Sequence, residues 1–157
     1  AHVSAVPNHQ TGRVTSLHTR GVVAMAGTFG YELNPALLTA EEKAEIRAQI
    51  GCFKQYEQLI CDGTYWRLAS PYTDAVSAWM MVSAQQDRAL VSAVRLEAEA
   101  NAAVTYLRLR GLKPEAVYVE EASGRRYDGA ALMNAGIPLP LARTEYEAYQ
   151  FSFVIVE

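Results

Sequence analysis

Apolar positions recur at helical spacing in the first part of the chain and at strand spacing in the rest. Ile46, Ile50, Phe53, Tyr56 and Ile60 stand three or four residues apart, which places them on one stripe of a helix about five turns long. Thr39-Ala40-Glu41-Glu42 opens that helix as a capping box, the Thr39 hydroxyl accepting from an orphan backbone N–H while Glu42 reaches back to the cap. Asp62-Gly63 ends it, with Gly63 expected as a left-handed terminator. Upstream, Leu17, Val22, Val23 and Met25 with small residues between them predict a short helix over 16–26, ended by Gly27. Residues 29–33 read as a short strand closed by Asn34-Pro35.

Beyond Tyr65 the period becomes two. Leu107 and Leu109 alternate with Arg108 and Arg110, and Tyr149, Phe151, Phe153 and Ile155 alternate with Gln150, Ser152 and Val154, the repeat of strands with two different faces. Segments 76–83, 89–97 and 116–120 are further strand candidates, and 84–88 and 122–125 read as hairpin connections. Many short strands with regular turns predict an antiparallel β-sandwich. The expected fold class is therefore α+β, divided near residue 64.

Composition narrows the function classes. The 157 residues carry a net charge of −3, so the basic stripe of a nucleic-acid binder is absent. No apolar run approaches the roughly 20 residues that span a bilayer, and the first residues lack the apolar core of a secretory signal. Cys52 and Cys61 fall within one predicted helix, nine positions and so about 13 Å apart. A disulfide needs Cα atoms within about 7 Å, and two unpaired thiols fit a reducing cytoplasm. The chain opens on Ala1 rather than methionine, and its polar opening suits the middle of a longer protein.

That opening, Ala1-His2-Val3-Ser4-Ala5-Val6-Pro7-Asn8-His9-Gln10-Thr11-Gly12-Arg13, resembles a segment of the bacterial alpha-galactosidases of glycoside hydrolase family 36. Gly30-Tyr31-Glu32-Leu33 is similar to that family's last barrel strand. Tyr56-Glu57-Gln58-Leu59-Ile60 and Gly63-Thr64-Tyr65-Trp66-Arg67-Leu68 are similar to its final helix and exit. Leu107-Arg108-Leu109-Arg110-Gly111-Leu112 and Ala131-Leu132-Met133-Asn134-Ala135-Gly136 resemble its C-terminal β-domain. The resemblance covers nearly the whole chain in the family's order.

It implies a partial (β/α)8-barrel remnant over 1–63, the last strands and helices, followed by an antiparallel β-sandwich over 64–157. A whole barrel usually takes roughly 250 residues, so the missing N-terminal part of the same protein is an expected partner. The implied parent is a retaining hydrolase of terminal alpha-galactosyl units in raffinose-type sugars or melibiose. No cofactor or metal is expected, nor any nucleic acid or membrane, and a homo-oligomer is expected. A non-catalytic carbohydrate-binding or oligomerisation domain is the alternative, motivated by the aromatic side chains of the β-region.

Retaining glycosidases set two carboxyl groups about 5–5.5 Å apart, and the family resemblance implies two aspartates at barrel-strand ends. The aspartates here are Asp62, Asp74, Asp87 and Asp128, all in predicted turns at or beyond the last long helix, so no catalytic residue is assigned. His2, Asn8, His9 and Gln10 are candidates to line a substrate cleft, because loops after barrel strands build such sites. The competing reading is that these polar groups satisfy the backbone of a tight loop around Pro7. Glu32, near a strand end, is the best remaining carboxylate, expected in a buried pair with Arg13 or Arg20. His2, His9 and His18 match no metal-ligand spacing. Trp66, Tyr72, Trp79, Tyr106, Tyr118, Tyr127 and Tyr149 read as core or interface packing before sugar platforms.

Strands of an incomplete barrel leave parallel edges unpaired. Residues 1–35 are accordingly expected to exchange amide hydrogen faster than the β-region, and equal protection in a mass-spectrometric exchange experiment would contradict this.

Overall fold

The computed structural model describes residues 1–141 and 144–156. Two two-residue strands, β1 (Val3–Ser4) and β2 (Tyr31–Glu32), pair in parallel. Between them runs α1 (Leu17–Ala24), started by the Ser16 hydroxyl, which accepts from the Thr19 N–H at 3.0 Å. After a single 3₁₀ turn, Pro35–Leu37, comes α2 (Ala40–Asp62), whose capping box is present in both directions: the Glu42 N–H donates to Thr39 Oγ1 at 3.2 Å and the Thr39 N–H to Glu42 Oε2 at 2.9 Å.

The next strand, β3 (Thr64–Ala69), begins a six-stranded antiparallel sheet with β4 (Val76–Val82), β5 (Arg88–Arg95), β7 (Val117–Glu120), β8 (Arg126–Asp128) and β10 (Glu147–Val156). The spatial order is β3-β4-β5-β10-β7-β8. Between β5 and β7 lies the short β6 (Tyr106–Leu107), and between β8 and β10 lie α3 (Gly129–Asn134) and β9 (Ile137–Pro138). The strands β6 and β9 pair with each other alone. The hairpin joining β4 and β5 is fixed by Ser83, whose Oγ accepts from the N–H groups of Asp87 and Arg88 at 3.1 and 3.0 Å.

Both faces of the central sheet are covered. On β4, Val76, Ala78, Met80 and Val82 join a core with Val91, Phe153, Leu109, Leu112, Leu132 and Leu139. The intervening Trp79 packs on Val22 of α1, and Met81 packs on Tyr56, Leu59 and Ile60 of α2. A strand buried on both faces reads as a near-continuous apolar run, as Val76–Val82 does apart from the half-buried Ser77. The second layer expected of a sandwich consists, among the described residues, of the β6–β9 ladder, α3 and the irregular chain between them. Burial of that layer is set by leucines on a non-repetitive backbone, a pattern that periodicity does not reveal.

One glycine differs from expectation. Gly63 is not left-handed (φ −72°). It is needed because a Cβ there would stand 2.3 Å from the Leu59 carbonyl oxygen and 3.0 Å from that of Val82, where helix and sheet meet. The left-handed terminator is Gly136 (φ +86°), whose N–H donates to the Ala131 carbonyl as it closes α3. Asp62 is the last residue of α2 and Asp128 precedes α3 as its N-cap, so these two lie at helix ends rather than in free turns.

The helices are fastened to the sheet by polar contacts as well as apolar ones. Tyr56 Oη donates to Glu121 Oε2 at 2.8 Å, and Cys52 Sγ donates to Gln150 Oε1 at 3.5 Å. Burial pushes the Cys52 thiol pKa up. Both cysteines are free thiols, and no described helix is long and apolar enough to cross a membrane.

Phe153 lies in the middle of the core, 1 % exposed, on a strand bonded on both sides. Phe153→Ala is expected to lower the unfolding free energy by about 3–5 kcal/mol, measured by urea denaturation; a loss below 1 kcal/mol would mean that β10 is not the central strand.

Candidate functional site

The polar loop 5–13 begins where β1 ends. Val3 is fully buried against Leu17 and Ala24, and its N–H donates to Gly30 O at 2.8 Å. The register Val3↔Tyr31 and Ser4↔Glu32 brings His2 beside the end of β2, where His2 Nε2 stands 2.7 Å from Glu32 Oε2. Both side chains are exposed, 55 % and 76 %. Glu32 therefore pairs with His2 at the surface, not with Arg13 or Arg20 in the interior; Arg13 lies over Tyr146, and Arg20 is engaged by the Thr15 and Ser4 carbonyls. Exposed pairs of this kind contribute between zero and about 1 kcal/mol.

Beyond a cis Val6–Pro7 peptide the loop is organised by one side chain. Asn8 Oδ1 accepts from Gln10 N, Thr11 N and Thr11 Oγ1 at 3.1, 3.0 and 3.1 Å. The Asn8 backbone closes the same turn, its N–H donating to Arg13 O and its carbonyl accepting from Gly12 N. An asparagine that hydrogen-bonds the backbone two and three residues on is a local turn builder. The Asn8 carboxamide oxygen thus holds the loop. Arg13 lies over the ring of Tyr146, 4.9 Å from its centroid. Arg20 donates from Nε to Thr15 O at 3.2 Å and from a terminal nitrogen to Ser4 O, clamping both ends of the loop. Burial draws its pKa below the ordinary value, opposed by the nearby Glu42 and Glu45 carboxylates.

The loop and the sheet enclose a cleft of about 540 Å³. His2, Asn8, Gln10, Arg13 and Arg20 line one side, and Ser77, Trp79, Val94 and Tyr146 the other. Of the five residues singled out in the sequence, His2, Asn8 and Gln10 border this space. His9 is exposed and does not, and Glu32 reaches it only through His2. Among the described residues no carboxylate lines the cleft, which can hydrogen-bond hydroxyl groups against an indole wall but offers no nucleophile and acid pair. Asp74 and Asp87 are tied into loops by Ser70 and Ser83. Among the described residues no three His, Cys, Asp or Glu side chains gather as a metal site.

Gln49 escaped the sequence reading. It is 7 % exposed, donates from Nε2 to Leu17 O and Glu45 Oε1 at 3.1 Å each, and accepts from Tyr31 Oη at 2.7 Å. It thereby joins α1, α2 and β2. Burial, reinforced by Glu45, pushes the Tyr31 hydroxyl up to about 12. The available signal was spacing: 46, 49, 53, 56 and 60 form a stripe at least as regular as the one drawn through Ile50.

Asn8→Ala is expected to lower stability by about 1 kcal/mol through the lost turn bonds, whereas Glu32→Gln should change it by less than about 0.5 kcal/mol. Urea unfolding of both variants checks the contrast, and a larger loss for Glu32→Gln would reverse the assignment.

Two family models match the chain: the glycosyl hydrolase family 36 C-terminal domain over residues 76–153 and melibiase over residues 1–63. The bifunctional alpha-galactosidase/sucrose kinase AgaSK of Mediterraneibacter gnavus is 73% identical over 153 residues, 98% of this chain and 16% of that protein. Alpha-galactosidase AgaA of Geobacillus stearothermophilus is 49% identical over 146 residues, 93% of this chain and 20% of that protein. The chain thus spans a fifth or less of the length of these relatives. Among solved structures, the galactosidase domain of AgaSK superposes with a TM-score of 0.98 at 72% identity, covering 99% of this chain and 22% of that one. A variant of AgaA in complex with raffinose superposes with a TM-score of 0.96 at 46% identity and the same coverages.

Proposed function

The chain belongs to glycoside hydrolase family 36, and from that premise we propose that it is the C-terminal part of a retaining alpha-galactosidase acting on raffinose-type oligosaccharides or melibiose. One observation carries this reading: identity to alpha-galactosidases is sustained across both the helical and the β-region, in the same order, over nearly every residue.

Residues 1–63 supply the closing strands and helices of a (β/α)8 barrel, and residues 64–157 form its C-terminal β-domain. The loop 5–13 leaves the C-terminal end of β1, the end at which barrel enzymes build their sites. His2, Asn8, Gln10 and, more remotely, His9 and Glu32 therefore border or support the sugar cleft of the parent. Bond cleavage needs two carboxyl groups about 5–5.5 Å apart, and among the described residues none lines the loop cleft. The catalytic aspartates come from the rest of the parent, and this chain alone is inactive. The parent needs no cofactor or metal, and it works as a cytoplasmic homo-oligomer in which the β-domain packs on its own barrel and on neighbouring subunits.

The isolated 157-residue chain should release no p-nitrophenol from p-nitrophenyl alpha-galactoside, while the longer parent protein does so. Turnover by the isolated chain, after rigorous removal of host enzyme, would sink the division of labour. Absence of turnover by the parent would sink the alpha-galactosidase reading itself.

A further inference from the structure

A second cleft, of about 660 Å³, opens on the sheet face opposite the loop cleft. Its size lies within the roughly 300–1,000 Å³ usual for ligand pockets. One wall is the segment 105–110, where the backbone alternates: Leu107 and Leu109 are buried, while Tyr106, Arg108 and Arg110 are exposed. The three exposed side chains therefore share one face. The facing wall carries Asp74, and the floor is apolar, with Leu68 and Val76.

The charges in this cleft are not consumed by the fold. Neither guanidinium of Arg108 and Arg110 has an ion-pair or hydrogen-bond partner among the described residues, and the Tyr106 hydroxyl has none either. Asp74 is held in place through Oδ2, which accepts from Ser70 N at 2.7 Å and from Thr73 Oγ1 at 3.3 Å, and Oδ1 meets no donor among the described residues. Four groups on two walls thus offer a flat ring, planar donors and a fixed acceptor around an apolar floor.

We infer that this cleft is an ancillary binding site for a neutral oligosaccharide, separate from the loop cleft. A pyranose presents an apolar C–H face and a rim of hydroxyl groups that both donate and accept. Tyr106 and the floor match the face, Arg108 and Arg110 match accepting hydroxyls, and Asp74 matches a donating one. A phosphate or sulfate would be drawn by the two guanidiniums, but it would leave the ring and the apolar floor unused and would meet the Asp74 carboxylate, whereas a neutral sugar engages all four groups. The inference rests on the proposed function only in the choice of sugar.

The test is an amide NMR titration of the 157-residue chain with raffinose and with stachyose. Saturable shifts should cluster at 68–69, 74–76 and 105–110, persist in Tyr106→Phe, and weaken about tenfold in Tyr106→Ala and in Arg108→Ala/Arg110→Ala, about 1.4 kcal/mol in each case. No shift at these residues in tens of millimolar sugar, shifts confined to the loop 5–13, or a response to inorganic phosphate instead of sugar would each overturn the site. An inactive parent with the titration intact would overturn the enzymatic reading and leave the site standing.

Discussion

The sheet depends on a strand that arrives last. β10 lies between β5 and β7, bonded to eight residues of one and four of the other, so the final ten-residue strand completes a sheet begun some eighty residues earlier. Without it, a three-stranded meander, β3-β4-β5, and a hairpin, β7-β8, would each expose a row of unpaired N–H and C=O groups beside an uncovered apolar face. Phe153 fills the core on one side of β10, and Ala148 supports α1 on the other. The structure therefore closes through long-range burial and cannot be assembled from local preference alone.

The loop cleft inherits its shape from that closure. His18 Nε2 lies 3.2 Å from Ala148 O, and Thr19 Oγ1 donates to Tyr146 O at 2.7 Å, so α1 is seated against the beginning of β10. Arg20 on the same helix clamps the loop, and Gln49 ties α1 to α2 and β2. A chain of hydrogen bonds thus links the sheet, both helices and the polar loop. What the cleft lacks is as informative as what it holds. Its walls offer amides, imidazole, guanidinium and indole, which bind hydroxyls, while the four aspartates stand at helix ends and in turns between strands.

Elements whose cause is local were legible in the sequence. The capping box at Thr39 and Glu42 depends on residues three apart, and the hairpins after Val82 and Glu120 follow from turn residues between alternating runs. Features set by a distant neighbour were not. Gly63 is constrained by the carbonyl of Val82 across the helix–sheet junction, and Gln49 sits on an apolar stripe because Tyr31 and Leu17 supply its partners. Likewise α3 is too short for a helical period to emerge, though Leu132 is wholly buried.

By itself the sequence determined the two longer helices, the strands β4, β5, β7 and β10, the family resemblance and the absence of an aspartate before Asp62. Period, caps and residue identity are properties of neighbours along the chain. Only the tertiary structure decided that β10 inserts between β5 and β7, that Glu32 faces His2, and that His2, Asn8 and Gln10 share a cleft from which His9 is absent. Those choices depend on which distant surfaces exclude water together, and on which polar groups find partners when they do.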